Sequence, residues 1–312
     1  MFTRRTLLGT GTCVFAAGMA STAYAVVVEP GFRLVVQNYK LVLPGWGQRP
    51  PMTICVIADV HAGEPWMPLS RVKRIVATAN ALAPDLHVVL GDLPAHHRFV
   101  AAPVPMPDVA EELGRLRAPL GCYAILGNHD WWDDLETQRT GQGPPNIHRL
   151  LERAGLPVLA NAAVRLLHGD GVWLLGTDSA LAFGPRRTGA GDLSTAMAPL
   201  HDDAAPAILL AHEPDIFPEV PSRISLTLAG HTHGGQVRLL GHSPMVPSRY
   251  GNRYAYGLVR EAGRHMVVSG GLGCSIAPVR VGVPPELTVI RLSSIATKAL
   301  PSQATRLGLA AA

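Results

Sequence analysis

Cysteine is scarce in this chain. Four occur in 312 residues, Cys13, Cys55, Cys122 and Cys274, at spacings that match no zinc pattern and indicate no disulfide framework. Cys55 and Cys122 fall in apolar, strand-like runs and are expected as small core residues, while Cys274 has no assigned role. Aromatic residues make up 5% and charged residues 16%, with no run of Lys/Arg and a formal charge of only +4. No basic stripe or aromatic platform stands ready for a nucleic acid, so nucleic-acid binding and a nuclease activity have no support. The body of the chain lacks any apolar run long and pure enough to span a membrane. It also lacks internal repeats and a recognisable domain linker.

The first feature present is an N-terminal address. Arg4-Arg5 stands directly before an apolar segment, roughly Leu7 to Ala20, and Ala23-Tyr24-Ala25 offers an A-x-A cleavage site. Residues 1–25 resemble a twin-arginine export signal, with an uncleaved N-terminal anchor as the alternative. Either one implies a protein periplasmic or membrane-anchored outside the cytoplasm, with the twin-arginine machinery as a partner and membrane association through residues 1–25. Cys13 does not make this a lipoprotein signal, because Thr10-Gly11-Thr12 lacks the expected Leu. Residues 26–51 read as a lead-in, 52–292 as one domain, and 293–312 as an Ala-rich, weakly patterned tail.

Within 52–292 one arrangement recurs: a short apolar run ends in a polar cluster. Ile54–Ile57 leads to Asp59-Val60-His61, Leu86–Leu90 to Gly91-Asp92, and Cys122–Leu126 to Gly127-Asn128-His129-Asp130. Ile208–Leu210 leads to His212, and Leu226–Leu228 to Gly230-His231-Thr232-His233. Runs this short and apolar read as strands buried on both faces. Val172–Leu175, Met266–Val268 and Leu287–Leu292 add further strands. Helices are expected over Leu69–Ala83, with Ser70 as N-cap, and over Met106–Leu116 and Ile147–Ala154. Alternating strands and helices argue an α/β fold with a second sheet packed on the first.

Polar groups at the carboxyl ends of such strands converge on one crevice. Here they are Asp59, His61, Asp92, Asn128, His212, His231 and His233, an oxygen and imidazole inventory without thiolate. That set suits Mn²⁺, Fe or Zn²⁺. It is too large for one four-coordinate zinc and suits two divalent ions sharing a carboxylate. The i, i+2 spacing lets Asp59 and His61 close on one ion where the chain turns, and His231 and His233 have the same i, i+2 geometry.

In this order, D-x-H, G-D, G-N-H-D, H and G-H-T-H resemble the calcineurin-like metallophosphoesterase superfamily. The G-H-T-H-G-G-Q-V block at 230–237, Ser269-Gly270-Gly271-Leu272-Gly273 and Pro284-Pro285-Glu286-Leu287 resemble an exported bacterial, phosphodiesterase-like branch of it. The resemblance implies a four-layer α-β-β-α sandwich of two mixed sheets flanked by helices. It implies one ion on Asp59, His61, Asp92 and His233 and another on Asp92, Asn128, His212 and His231, with Asp92 bridging. His129 would protonate the leaving group or steady the transition state. The implied reaction is hydrolysis of a small phosphate monoester or diester, by attack of a hydroxide held between the ions. Manganese ranks first among the metals.

Around this set, Asp130, Trp131 and Trp132 either rim the pocket or pack as loop residues. His96 and His97 either touch substrate or lie on the surface; after Gly91-Asp92 the family often has an apolar and then an acidic residue, whereas this chain has Leu93-Pro94-Ala95-His96-His97. Arg280 either meets a phosphate or pairs with Glu286 or another acid. Asp178 reads as a turn residue. Two rival functions remain open: a pyrophosphatase on nucleotide-linked lipid precursors such as UDP-diacylglucosamine, and a catalytically silent binding module on the same frame.

Overall fold

Strands carry most of the architecture. The first half of the chain holds β1 (Val35–Val42), β2 (Met52–Ile57), β3 (Gly63–Glu64), β4 (Leu86–Val89), β5 (Ala102–Pro103) and β6 (Cys122–Ala124). The second holds β7 (Ala162–Leu166), β8 (Val172–Gly176), β9 (Ala207–Leu210), β10 (Ile224–Ala229), β11 (Gly257–Glu261), β12 (Arg264–Val268) and β13 (Glu286–Ser293). These come from a computed structural model that describes residues 18–43, 45–184, 189–200 and 203–294. Arg4-Arg5, Cys13 and the tail from residue 295 lie outside the described residues.

One sheet has the order β1-β13-β2-β4-β6, the other β11-β12-β10-β9-β8-β7. Both are mixed. β2, β4 and β6 are parallel while β13 runs against β2; β8, β9, β10 and β12 are parallel while β7 and β11 run against their neighbours. β3 and β5 form a small separate ribbon.

Side chains alternate across each strand, and this sorts the core into layers. Ile54, Val56, Leu86 and Val88 point to the other sheet and meet Leu174, Ile208, Leu210, Leu226 and Leu228 there. Cys55, Ile57 and Val89 face the opposite way. They pack under α1 (Leu69–Ala81), α2 (Met106–Leu113) and, further along the chain, the helix Asn146–Arg153, through Val72, Ile75, Val109, Leu113 and Leu151. On the outer face of the second sheet, Leu175, Leu209 and Met266 pack against Phe217 and Tyr254. The four-layer α-β-β-α sandwich is therefore present, but its fourth layer is thin. It consists of the one-turn helix Leu193–Met197 and the 3₁₀ turns Pro214–Glu219 and Gly251–Tyr254.

Two expectations need correction. The lead-in is not a bare connector, since β1 lies within it and pairs in parallel with all of β13 from Val35↔Glu286 to Val42↔Ser293. The domain thus begins well before residue 52. Being an edge strand, β1 fully buries only Leu41, which permits the polar residues Gln37, Asn38 and Lys40 that hide it in the sequence. At α1, Pro68 rather than Ser70 takes the N-cap position, with no side-chain capping bond. The fixed φ of proline prepares the turn without one.

Candidate metal centre

Both sheets aim the carboxyl ends of their parallel strands at one seam. Asp59 and His61 follow β2, Asp92 follows β4, and Asn128 follows β6 as the first residue of α3 (Asn128–Trp132). From the facing sheet His212 follows β9, and His231 and His233 follow β10. All are buried except His231, which is partly exposed.

The loops that carry them are tightly bent. Asp59, His61, Asp92, His231 and His233 have φ of 53°, 45°, 57°, 68° and 51°, the left-handed region that costs a non-glycine residue roughly 1 kcal/mol or more. Gly127 is required by close approach. A Cβ there would lie 2.3 Å from Asp92 Oδ1 and 2.6 Å from His212 Cε1.

The side chains form two groups that share Asp92. Ligand atoms of Asp59, His61 and His233 lie within 4.8 Å of one another, as do those of Asp92, His212 and His231. His61 Nε2 and His233 Nε2 stand 3.1 Å apart, and His233 Nε2 is 3.6 Å from Asp59 Oδ1. Asp92 Oδ2 sits 3.6 Å from His61 Nε2 and 3.2 Å from His212 Nε2, so one oxygen faces both groups.

The remaining atoms of these rings fix which nitrogen is presented. His61 Nδ1 donates to Pro94 O at 2.9 Å and His212 Nδ1 to Leu90 O at 2.6 Å. In each, Nε2 is the nitrogen left facing the seam. His233 differs, because its Nδ1 is met by Arg280 Nη2 at 3.1 Å and arginine only donates. An ion binding at His233 Nε2 would displace the proton there and leave an imidazolate, whose negative charge the Arg280 guanidinium would offset.

Three buried atoms from different loops have no hydrogen-bond partner: Asp59 Oδ2, Asn128 Oδ1 and His212 Nε2. Orphaned buried acceptors are expensive, and their convergence on one seam is what a cation would resolve. The donor set is oxygen and imidazole only. The residues fit divalent metal.

Electrostatics agree with a site made for positive charge. Burial, together with the neighbouring Asp92 carboxylate, pushes Asp59 up to about 7. Burial also acts on Asp92, but the adjacent His212 imidazole, itself raised well above its ordinary value chiefly by Asp92, outweighs it and holds the acid well below its usual range. Burial pulls His61 down to about 3, so that ring is neutral and available as a ligand.

His129 lies beside the ligands, and a ring nitrogen of it falls within 4.8 Å of ligand atoms of His61 and Asp92. Its backbone N–H donates to Asp92 Oδ1 at 2.8 Å. Its ring meets His61 edge-on at 4.9 Å between centroids and packs against Trp132 at 5.0 Å and His96 at 5.3 Å. Ser275 Oγ is 3.5 Å from its Nε2, and its Nδ1 is unpartnered. Burial holds the ring below the ordinary imidazole range.

The outlying candidates separate. His96 stands at the rim, 3.2 Å from Asp133, whose hydrogen bond raises the imidazole's pKa. His97 joins an aromatic group with Trp66 and Phe99. Asp130 is no substrate contact: fully buried, its carboxylate accepts the N–H groups of Asp92, Leu93 and Gly127 at 2.8–2.9 Å. It braces two ligand loops. Arg280 reaches neither a phosphate position nor an acid; its guanidinium is taken up by backbone carbonyls and His233. Trp131 is packed, its Nε1 donating to Asp178 at 2.6 Å, so Asp178 is a buried acceptor and not a surface turn residue. Asp133 and Ser275 had no signal in the sequence, since neither belongs to a strand-end cluster.

Fold and site together define a metal-dependent hydrolase whose ligand set is divided between two facing sheets. Residues 52–235 match the calcineurin-like phosphoesterase family. The chain is similar to the metallophosphoesterase YkuE of Bacillus subtilis, 30% identical over 247 residues covering 77% of this chain and 79% of that one. It is 31% identical over 251 residues to a zebrafish (Danio rerio) transmembrane protein with a metallophosphoesterase domain, spanning 53% of that longer protein. Phosphodiesterase YaeI of Escherichia coli is 27% identical over 299 residues, which cover 94% of this chain and all of the relative. The chain belongs to the calcineurin-like phosphoesterase family, and its reaction class is metal-dependent hydrolysis of phosphoric esters.

Proposed function

We propose that this protein is a phosphodiesterase that works with a pair of divalent ions and acts outside the cytoplasm. The observation that carries the paired-ion reading is Asp92 Oδ2, which faces His61 on one side and His212 on the other, among three orphaned buried ligand atoms. Asp59, His61, Asp92 and His233 would hold one ion, and Asp92, Asn128, His212 and His231 the second. When bound, such a pair supplies a water acidic enough to deprotonate near neutral pH and positive charge for the phosphoryl oxygens.

The chain's own residues do the rest. His129 is held beside the seam by Asp92 and by its packing on Trp132, with a ring nitrogen free to serve the leaving oxygen. A neutral imidazole can still donate its N–H there, stabilising developing charge without a formal positive charge of its own. His96, whose pKa the hydrogen bond to Asp133 raises, stands at the rim, where the esterified group of a diester would lie.

Diester preference is supported by the full-length similarity to a phosphodiesterase. The test is metal-stripped protein reconstituted with Mn²⁺, Zn²⁺ or Fe²⁺ and assayed on bis-p-nitrophenyl phosphate against p-nitrophenyl phosphate. A higher kcat/KM on the diester is expected; a higher value on the monoester overturns that choice.

Export rests on Arg4-Arg5 and the apolar segment after them. Retention of the segment as an anchor is supported by the docking of its end. Residues 18–32 are helical through Ala23-Tyr24-Ala25, Ala25 O accepts from Arg280 N–H, and Val26 O accepts from Trp66 Nε1. Ala23 and Tyr24 are exposed, but the helix and these two hydrogen bonds hold the segment in place, and proteases prefer mobile chain. Intact mass and fractionation of the native protein should return the unprocessed N-terminus in the membrane fraction.

A further inference from the structure

Arg280 is a buried cation with no acid on it. It is fully buried, and among the described residues it makes no ion pair. All five of its N–H donors are nevertheless used. Nε donates to Gly273 O at 3.0 Å, Nη1 to Gly270 O at 2.9 Å and Val283 O at 3.0 Å, and Nη2 to Gly273 O and His233 Nδ1. Nothing in the reaction needs a positive charge at this depth, and no substrate can reach it.

The carbonyls it gathers show what it does. Gly270 and Gly273 belong to the turn after β12, and that turn is pressed against the first ligand loop. Gly273 N donates to Asp59 O at 2.7 Å and Leu272 N to Ala58 O at 3.0 Å. A Cβ at Gly271 would lie 2.8 Å from Asp59 Cβ, and one at Gly273 would lie 2.7 Å from His61 Cβ. The turn is therefore the floor on which Asp59 and His61 rest. His233, the third ligand of this group, comes from the opposite sheet. Arg280 bonds both to its ring and to the floor, so it joins the two halves of one ion's ligand set. Its hydrogen bonds include none to Asn128, His212 or His231, the residues proper to the other ion.

We infer that Arg280 is a positioning residue for one metal position only, the one formed by Asp59, His61 and His233. It fixes the plane of the His233 ring and its distance from Asp59 and His61, and leaves the second position to Asp92, Asn128, His212 and His231. This rests on the paired-ion reading above. Partners that orient a metal-binding histidine are typically worth on the order of 10- to 100-fold in metal affinity.

The test uses the full chain, metal-stripped and titrated with Mn²⁺, reading stoichiometry by elemental analysis, affinity by calorimetry and the metal environment by electron paramagnetic resonance. Wild type should take two ions per chain and give a spin-coupled spectrum. Arg280→Ala and Arg280→Lys should retain one tight ion with the six-line spectrum of isolated Mn²⁺, the other weakened at least 10-fold. In a His233→Ala background, adding Arg280→Ala should leave the remaining ion's affinity unchanged, because the arginine acts through that ring. A merely structural role would lower the melting temperature and weaken both ions together.

Three results overturn the inference: both ions bound at wild-type affinity, both lost in parallel, or further weakening in the double variant. If neither Arg280 variant folds, Arg280 serves the fold rather than one metal position, and the inference fails as well. A wild-type chain that takes fewer than two ions overturns the paired-ion reading itself, and shows this without any variant.

Discussion

His129 and Asp130 are adjacent in the chain and divide their work completely. His129 faces the seam with an unpartnered ring nitrogen, whereas Asp130 turns back to accept three backbone N–H groups. His129→Ala should keep both ions, since Asp59, His61, Asp92, Asn128, His212, His231 and His233 remain to hold them. It should lower kcat about 10²- to 10⁴-fold for an alkyl leaving group and much less for nitrophenolate, which needs no help to depart. Equal losses on the two substrates would remove His129 from the leaving-group role. Asp130→Ala leaves three buried donors unmatched, each costing about 1–3 kcal/mol. Urea unfolding should show a loss of several kcal/mol, with metal affinity falling because the Asp92 and Asn128 loops lose their common brace. The seven candidate ligands were legible in the sequence because each follows an apolar strand, where chemistry and order reinforce one another. The directions of Asp130 and Arg280 were not, since adjacency along a chain says nothing about which way a side chain turns. The pairing of His96 with Asp133 joins two loops and left no local trace.

Among the elements, β2, β4, β9 and β10 were visible as apolar runs because both of their faces are buried. β1, β7 and β11 lie at sheet edges, where one side meets solvent and polar residues are tolerated, so composition gave no warning of them. β1 matters beyond its own contacts, for it covers the full length of β13, which in turn pairs with β2 and so supports the Asp59 loop. A chain truncated to begin at Met52, as the motifs alone would suggest, should expose the backbone of β13 as an unpaired edge. It should be aggregation-prone when expressed, with a lowered melting temperature, while a chain beginning before β1 stays soluble. Size-exclusion chromatography and thermal unfolding of the two forms decide this.

Across the whole molecule, stability and pH are linked through groups far from the seam. His87 lies in the middle of the first sheet, in register with Cys55 on one side and Cys122 on the other. Neither of its ring nitrogens has a hydrogen-bond partner. Burial pulls its pKa from 6.5 down to about 4. Between those values the unfolded chain binds a proton that the native chain refuses, so stability falls as pH drops through that window and is unaffected above it. His87→Leu should be near neutral at pH 7.5 and gain on the order of 1–2 kcal/mol over wild type by pH 4.5. Urea unfolding of the metal-free proteins across that range tests it, and parallel curves for the two would clear His87 of the effect.

The left-handed bends at Asp59, His61, Asp92, His231 and His233 have one more consequence at this scale. They are held by strands, glycine contacts and the brackets of Asp130 and Arg280, all of which are contacts of the chain with itself. The cavity is a mould cut ahead of the casting. Loading should then require little reshaping of the chain, and cations should be sorted by how well they match a shape already set.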